Sequence, residues 1–301
     1  MTCFSSQIIQ GARTLGPLCV GIDPHPGRIP DLFGGDTPDG IARWAEAIIA
    51  ETSGRASVVK PQVGLFERHG PDGMRALQRT CAAARAAGLS VIADAKRGDI
   101  GSTAKGYAAA YLAEGAPFEA DAVTVNPYMG LDTLEPFIAL AEANGKGVVV
   151  LARTSNPGSA DFQARELEGA PLYARVVEAL APAIERLMGP EGWSSLMLVA
   201  GATGPDEARH LRSLAPGALF LVPGYGAQGG GAADALAGFR RVGNRLEGGV
   251  VNASRSVNFP AEADGAASLA DWRTAVAAAI EAAQADLKSL SGQAETASAS
   301  P

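Results

Sequence analysis

Eight short runs rich in β-branched residues, each followed by a segment of helical spacing, restrict what this 301-residue chain can fold into. They are LCVGID (18–23), SVVKPQ (57–62), SVIADAK (90–96), AVTVNP (122–127), GVVVLAR (147–153), SLMLVAGAT (195–203), ALFLVPG (218–224) and GGVVNASR (248–255). Stretches such as GIARWAEAIIAE, GMRALQRTCAAARAAG, LEPFIALAEANG and LYARVVEALAPAIERLM lie between them. Their apolar residues recur every three or four positions, as in a helix packed on one face. LADWRTAVAAAIEAAQADLKSL follows the eighth run. Strand–helix alternation implies parallel β/α units. A doubly wound sheet can be built from such units, but eight of them in about 250 residues is what a (β/α)8 TIM barrel requires. The predicted fold is therefore an α/β barrel in a single domain. Its expected bounds are residues 1–286, with a short N-terminal extension. Residues 287–301, ending in the small polar SGQAETASASP, read as a disordered tail.

A net charge of −7 argues against a general nucleic-acid or membrane-surface binder, although a few local cations suffice to hold an anionic ligand. Cys3, Cys19 and Cys81 make neither a disulfide framework nor a zinc spacing, which suits a reducing cytoplasm. MTCFSSQIIQGARTLG lacks the pattern of a secretory signal, and no apolar run is long enough to span a bilayer.

Charge collects at the ends of the first three strands: Asp23, Lys60, then Asp94 and Lys96. Side chains alternate along a strand, so Asp94 and Lys96 are expected on one side, which in a barrel can be the interior at the catalytic rim. A single Asp at a strand end is ordinarily a cap. Four charges on three consecutive strands point instead to a site built around a lysine kept charged by carboxylates, because unpaired buried charge is costly. Such a lysine is a poor Schiff-base nucleophile and a ready proton donor. An extra carboxylate beside a bound anion repels it by roughly 4 kcal/mol at ~4 Å and an effective dielectric near ~20, which helps if a substrate carboxylate leaves as carbon dioxide. Asp23 and Asp94 are alternatively candidates for a magnesium site, and spacing alone does not separate the two readings.

The seventh strand runs into PGYGAQGGG, with Gly224, Gly226 and Gly229 in the pattern G-x-G-x-x-G. A dinucleotide fingerprint belongs at a first βα turn, not here. Barrels frequently bind phosphate on the loops after strands seven and eight. Glycines admit the anion to the backbone, Gln228 offers an amide, and Arg255 at the end of strand eight offers a two-pronged contact. His25, His69 and His210 are scattered and read as loop or surface residues, and Arg97-Gly98-Asp99 as an adhesion ligand is disfavoured without secretion.

Together these residues resemble the orotidine 5′-phosphate decarboxylase family, which converts orotidine 5′-phosphate (OMP) to UMP in pyrimidine biosynthesis. The family motif Asp-x-Lys-x-x-Asp, then Ile and Thr, is met by Asp94, Lys96, Asp99, Ile100 and Thr103. Asp23, Lys60, Ser155 with Pro157-Gly158, PGYGAQGG and Arg255 extend the match, and VNPYMG, LARTSNPGS and LVPGYGAQGG resemble the longer bacterial branch. Shorter members usually place Gly before the phosphate Arg, where this chain has Ser254. The resemblance implies a carboxy-lyase in which Lys96 protonates C6, Asp94 faces the departing carboxylate, Lys60 and Asp23 hold ribose hydroxyls, and Ser155 meets the pyrimidine edge. It also implies that Gln228 and Arg255 grip the 5′-phosphate, and that Asp99 and Thr103 enter the neighbouring subunit's site in a homodimer. No metal or organic cofactor is implied. Two rivals remain: a magnesium-using sugar-phosphate decarboxylase or hexulose-phosphate synthase on the same barrel, and a nucleotide-binding regulator that has lost catalysis.

Overall fold

In a computed structural model, which describes residues 3–226 and 229–292, all eight runs form parallel strands. They are β1 (Leu18–Ile22), β2 (Val58–Pro61), β3 (Ser90–Arg97), β4 (Ala122–Val125), β5 (Gly147–Arg153), β6 (Ser194–Ala200), β7 (Ala218–Val222) and β8 (Gly249–Ala253). Each pairs with its neighbours in chain order, and β8 closes on β1 through Leu18–Val251, Cys19–Asn252 and Val20–Ala253, giving the closed (β/α)8 barrel that the alternation predicts.

Alternation along the strands divides the apolar residues into two cores. Outward-facing Val20, Val59, Val91, Val123, Val148, Leu198, Phe220 and Val251 pack under the helices. Inward-facing Cys19, Val58, Ile92, Ala122, Val149, Met197, Leu219 and Val250 fill the barrel. The second core is completed from outside the sheet. A helix, Phe4–Leu15, caps the amino-terminal end of the barrel and buries Phe4, Ile8 and Ile9 against those inward residues. Gly147 at the start of β5 makes room for it: a Cβ there would lie 2.7 Å from Phe4 Cε1. The part read as an extension is thus the floor of the barrel.

Two other segments depart from the sequence expectation. LYARVVEALAPAIERLM is two helices, Leu172–Ala179 and Ala181–Arg186, because Pro182 cannot continue the first and starts the second. The C-terminal helix runs over Leu269–Ser291 with Leu287 fully buried, so ordered structure passes the boundary expected at 286. The tail beyond 292 and Gln228 lie outside the described residues. No helix among the described residues is long and apolar enough to cross a membrane.

The long connections after β1 and β5 lie at the carboxyl ends of their strands. The first contains a 3-10 turn, Asp31–Phe33; the second has a 3-10 turn, Pro157–Asp161, and a small hairpin pairing Glu166–Leu167 with Ala170–Pro171.

Replacing a fully buried aromatic leaves a cavity that costs about 3 kcal/mol or more. Phe4→Ala is therefore expected to lower unfolding stability by about 3 kcal/mol in urea titrations, although the residue lies far from the strands' carboxyl ends.

Candidate active site

Toward the carboxyl ends, the inward rows of β1 to β4 and β8 turn from apolar to polar, while those of β5, β6 and β7 stay apolar through Leu151, Val199 and Leu221. Cys19 gives way to Asp23, Val58 to Lys60 and Gln62, Ile92 to Asp94, Ala122 to Thr124 and Val250 to Asn252. Above them opens a cavity of about 500 Å³, whose wall also includes Lys96, Ser155, Gly224 and Arg255.

Asp94 is the centre of the array and is only 7% exposed. Its Oδ2 accepts hydrogen bonds from Lys60 Nζ at 2.8 Å and Gln62 Nε2 at 3.0 Å. Its Oδ1 accepts from Lys96 Nζ at 2.6 Å and Thr124 Oγ1 at 3.1 Å. Four donors thus meet the roughly four lone-pair positions of the carboxylate. Burial alone would raise the Asp94 pKa, but the Lys60 and Lys96 charges and their hydrogen bonds outweigh it and hold the group below the ordinary carboxylate range. Lys60 is buried too. Burial pulls its pKa down, and the charges of Asp94 and Asp23 more than reverse this, so it stays an ammonium. Asp23 Oδ1 lies 3.9 Å from Lys60 Nζ and has no hydrogen-bond partner among the described residues. In contrast to Lys60, the Lys96 side chain is nearly half exposed.

Asp94 and Lys96 meet as expected, but not through a regular pleat. The β3–β4 register shifts between Ala93 and Arg97, and Lys96 has φ 47°, in the left-handed region that a non-glycine residue seldom occupies. Its N–H is redirected to Thr124 Oγ1 at 2.8 Å. Strained backbone of this kind persists where surrounding contacts over-determine it.

Asp23, Lys60, Asp94, Lys96, Ser155, Gly224 and Arg255 share the cavity. Asp99, Ile100 and Thr103 do not. Asp99 Oδ1 accepts from Ile100 N–H at 2.8 Å, Ile100 is 61% exposed, and Thr103 faces outward from the helix Gly101–Leu112. Gly226 and Gly229 lie on the outer part of the loop with φ of 70° and 88°, joined by a bond from Gly229 N to Gly226 O at 2.9 Å. Tyr225 on this loop donates from its hydroxyl to Asp286 Oδ2 at 2.6 Å, tying the loop to the last helix.

Sequence reasoning did not single out Gln62, Thr124 and Asn252, though all three continue inward rows already marked by their strands. His25, read as a loop histidine, stands in a loop but also lines the cavity. Arg97 of the Arg-Gly-Asp triplet is not a free hook. It pairs with Glu67, reaches Tyr111 Oη at 3.3 Å and lies over the Tyr107 ring.

A closed (β/α)8 barrel with a Lys–Asp–Lys array at the carboxyl ends of its strands, and an arginine and glycine loop across the same cavity, puts the chain among the barrel enzymes. The chain belongs to the orotidine 5′-phosphate decarboxylase / HUMPS family, whose model matches residues 16–269. It is 38% identical over 295 residues to an orotidine 5′-phosphate decarboxylase of Rhodopirellula baltica, covering 93% of this chain and 97% of that one. It is 42% identical over 235 residues to the enzyme of that name from Salinispora arenicola, covering 78% and 83% of the two chains. Among solved structures it superposes on the OMP decarboxylase of Leishmania donovani with a TM-score of 0.75 at 32% identity, covering 96% of this chain and 99% of that one.

Removing one partner of a buried ion pair typically costs about 3 kcal/mol. Lys60→Ala is accordingly expected to destabilise by about 3 kcal/mol at pH 7. The depressed Asp94 pKa stabilises the fold above the unfolded-state value near ~3.9, and this contribution fades as pH falls toward the folded-state value. The stability gap between wild type and variant should therefore narrow in denaturation curves taken from pH 7 to about pH 3.

Proposed function

We propose that this chain decarboxylates OMP to UMP without a metal or organic cofactor, with the Lys96 ammonium delivering the proton to C6. The observation that carries the reading is Asp94, a carboxylate kept charged at the cavity wall with Lys96 Nζ 2.6 Å away. A substrate carboxylate brought beside Asp94 is repelled, by roughly 4 kcal/mol at ~4 Å and an effective dielectric near ~20. Loss of neutral carbon dioxide relieves that repulsion. The electron pair of the broken C6–carboxylate bond stays on C6, where the fixed ammonium stabilises it and then donates a proton to form the C–H bond. Lys96, neutral after the transfer, regains a proton from solvent through its exposed side.

The other roles follow the cavity from end to end. Asp23, whose Oδ1 has no hydrogen-bond partner among the described residues, and Lys60 take the ribose hydroxyls, and Ser155 takes the pyrimidine edge. Arg255 and Gly224, which line the cavity, take the 5′-phosphate together with Gln228, Gly226 and Gly229, as the family resemblance implies, and this remote grip supplies binding energy for ordering the charged array. The metal-free reading is supported by Lys60, whose ammonium stands between Asp23 and Asp94 where a divalent cation bridging them would sit. Undiminished turnover in excess chelator is the expected result; loss of activity restored by magnesium would favour the sugar-phosphate rival.

The same reading makes the protein a cytoplasmic homodimer in which Asp99 and Thr103 serve the partner's cavity, with Ile100 between them a further substrate contact. Support comes from their exclusion from their own chain's cavity and from the apolar surface beside them. Ile100, Tyr107, Tyr128, Met129 and Leu131 are exposed together near the ends of β3 and β4, with Met129 packed over Gly98. Lys96→Ala and Asp99→Ala proteins are each expected to lose nearly all activity, followed as loss of OMP absorbance. Mixed heterodimers should regain activity, because one site then receives intact Lys96 and Asp99 from different chains. Demonstrated heterodimers without activity would place both residues in one chain's site.

A further inference from the structure

We infer that Ser254, Asn252 and Asn258 are positioning residues that brace the segment carrying Arg255 against the end of β1, and that Gly21 provides the notch in which the brace sits. This rests on the phosphate role proposed for Arg255 and explains the serine found where shorter relatives usually have glycine.

Ser254 starts the helical turn Arg255–Asn258, yet its hydroxyl does not cap that turn. It points inward and accepts from Asn252 Nδ2 at 3.0 Å. A methyl group built on Gly21 would overlap this hydroxyl, lie 2.9 Å from Ser254 Cβ and approach Asn252 Oδ1 to 3.2 Å. Both Asn252 and Ser254 line the cavity next to Arg255. At the other end of the turn, fully buried Asn258 reaches β1 twice. Its Oδ1 accepts from Asp23 N–H at 3.0 Å, and its Nδ2 donates to Gly21 O at 2.7 Å. The turn is thus held to the end of β1 on both sides of Arg255, once through a side-chain notch and once through hydrogen bonds between the Asn258 side chain and the backbone of Gly21 and Asp23. One rigid piece then sets the distance between the phosphate arginine and the ribose carboxylate Asp23. Gly21 and Ser254 are a matched pair, since a β-carbon at position 21 and a hydroxyl at position 254 exclude each other.

Isothermal titration with UMP and with uridine, which lacks the phosphate, tests this on wild type, Gly21→Ala, Ser254→Ala, Ser254→Gly and the double variant Gly21→Ala/Ser254→Gly. Gly21→Ala is expected to weaken UMP binding about tenfold, and Ser254→Ala, which loses one hydrogen bond without a clash, about threefold. Uridine affinity should change less than about twofold, because only the phosphate end is displaced. The double variant should bind UMP better than Gly21→Ala, since Ser254→Gly removes the clash. Equal weakening toward UMP and uridine, or a double variant no better than Gly21→Ala, overturns the inference. The steric pairing is read independently in melting temperatures, where Ser254→Gly should restore part of what Gly21→Ala loses. Wild type that pairs these residues in melting but neither binds UMP nor turns over OMP would refute the functional reading and leave the matched pair standing.

Discussion

Keeping a carboxylate ionised while surrounding it with protein is expensive, and the upper half of this barrel is arranged around meeting that requirement at Asp94. Desolvation favours the neutral acid, and only close, oriented positive charge reverses the preference. Lys60 and Lys96 supply the charge from two strands, and Gln62 and Thr124 complete the hydrogen bonding from β2 and β4. The requirement reaches into the backbone, where Lys96 adopts a left-handed conformation and the β3–β4 register slips. The inward rows are apolar below this level, and those of β1 to β4 and β8 are polar at it, so one alternating pattern yields both a dry barrel core and a cavity floor charged on one side.

Much of this was legible in the residue order. β-Branched runs with amphipathic spacers carry a strong periodic signal, and all eight became strands in the expected succession. Asp23, Lys60, Asp94, Lys96 and Arg255 were visible because charge at the end of an apolar run is unusual. What stayed hidden depended on three-dimensional closure or on backbone detail. Gln62 and Thr124 look like ordinary polar strand residues until a neighbouring strand brings Asp94 to them. Asn258 lies 235 positions from Asp23, and only the meeting of β8 with β1 brings them together. The bulge at Lys96 follows from hydrogen bonding to Thr124, which no period reveals.

Smaller misreadings have equally local causes. Phe4, Ile8 and Ile9 show helical spacing, but over too short a stretch to separate a barrel floor from a loose extension. Pro182 sits within an otherwise continuous apolar period, and its effect on the helix outweighed the period. Asp99, Ile100 and Thr103 match a family motif continuous with Lys96, and the chain turns outward after Arg97 and leads them away from their own cavity. That placement is compatible with the resemblance, which implies that Asp99 and Thr103 serve a neighbouring subunit.

The seam where β1 meets β8 also bears on how the protein comes to be active. Residues on both sides of it, Gly21 and Asp23 near the start and Asn252 to Asn258 near the finish, must dock before the cavity has its final shape. Contacts so distant along the chain form slowly, because a long loop has to close before they contribute. A growing polypeptide therefore carries the Lys–Asp–Lys cluster well before the segment bearing Arg255 is available to complete it. Competence in this architecture waits on closure of the ring.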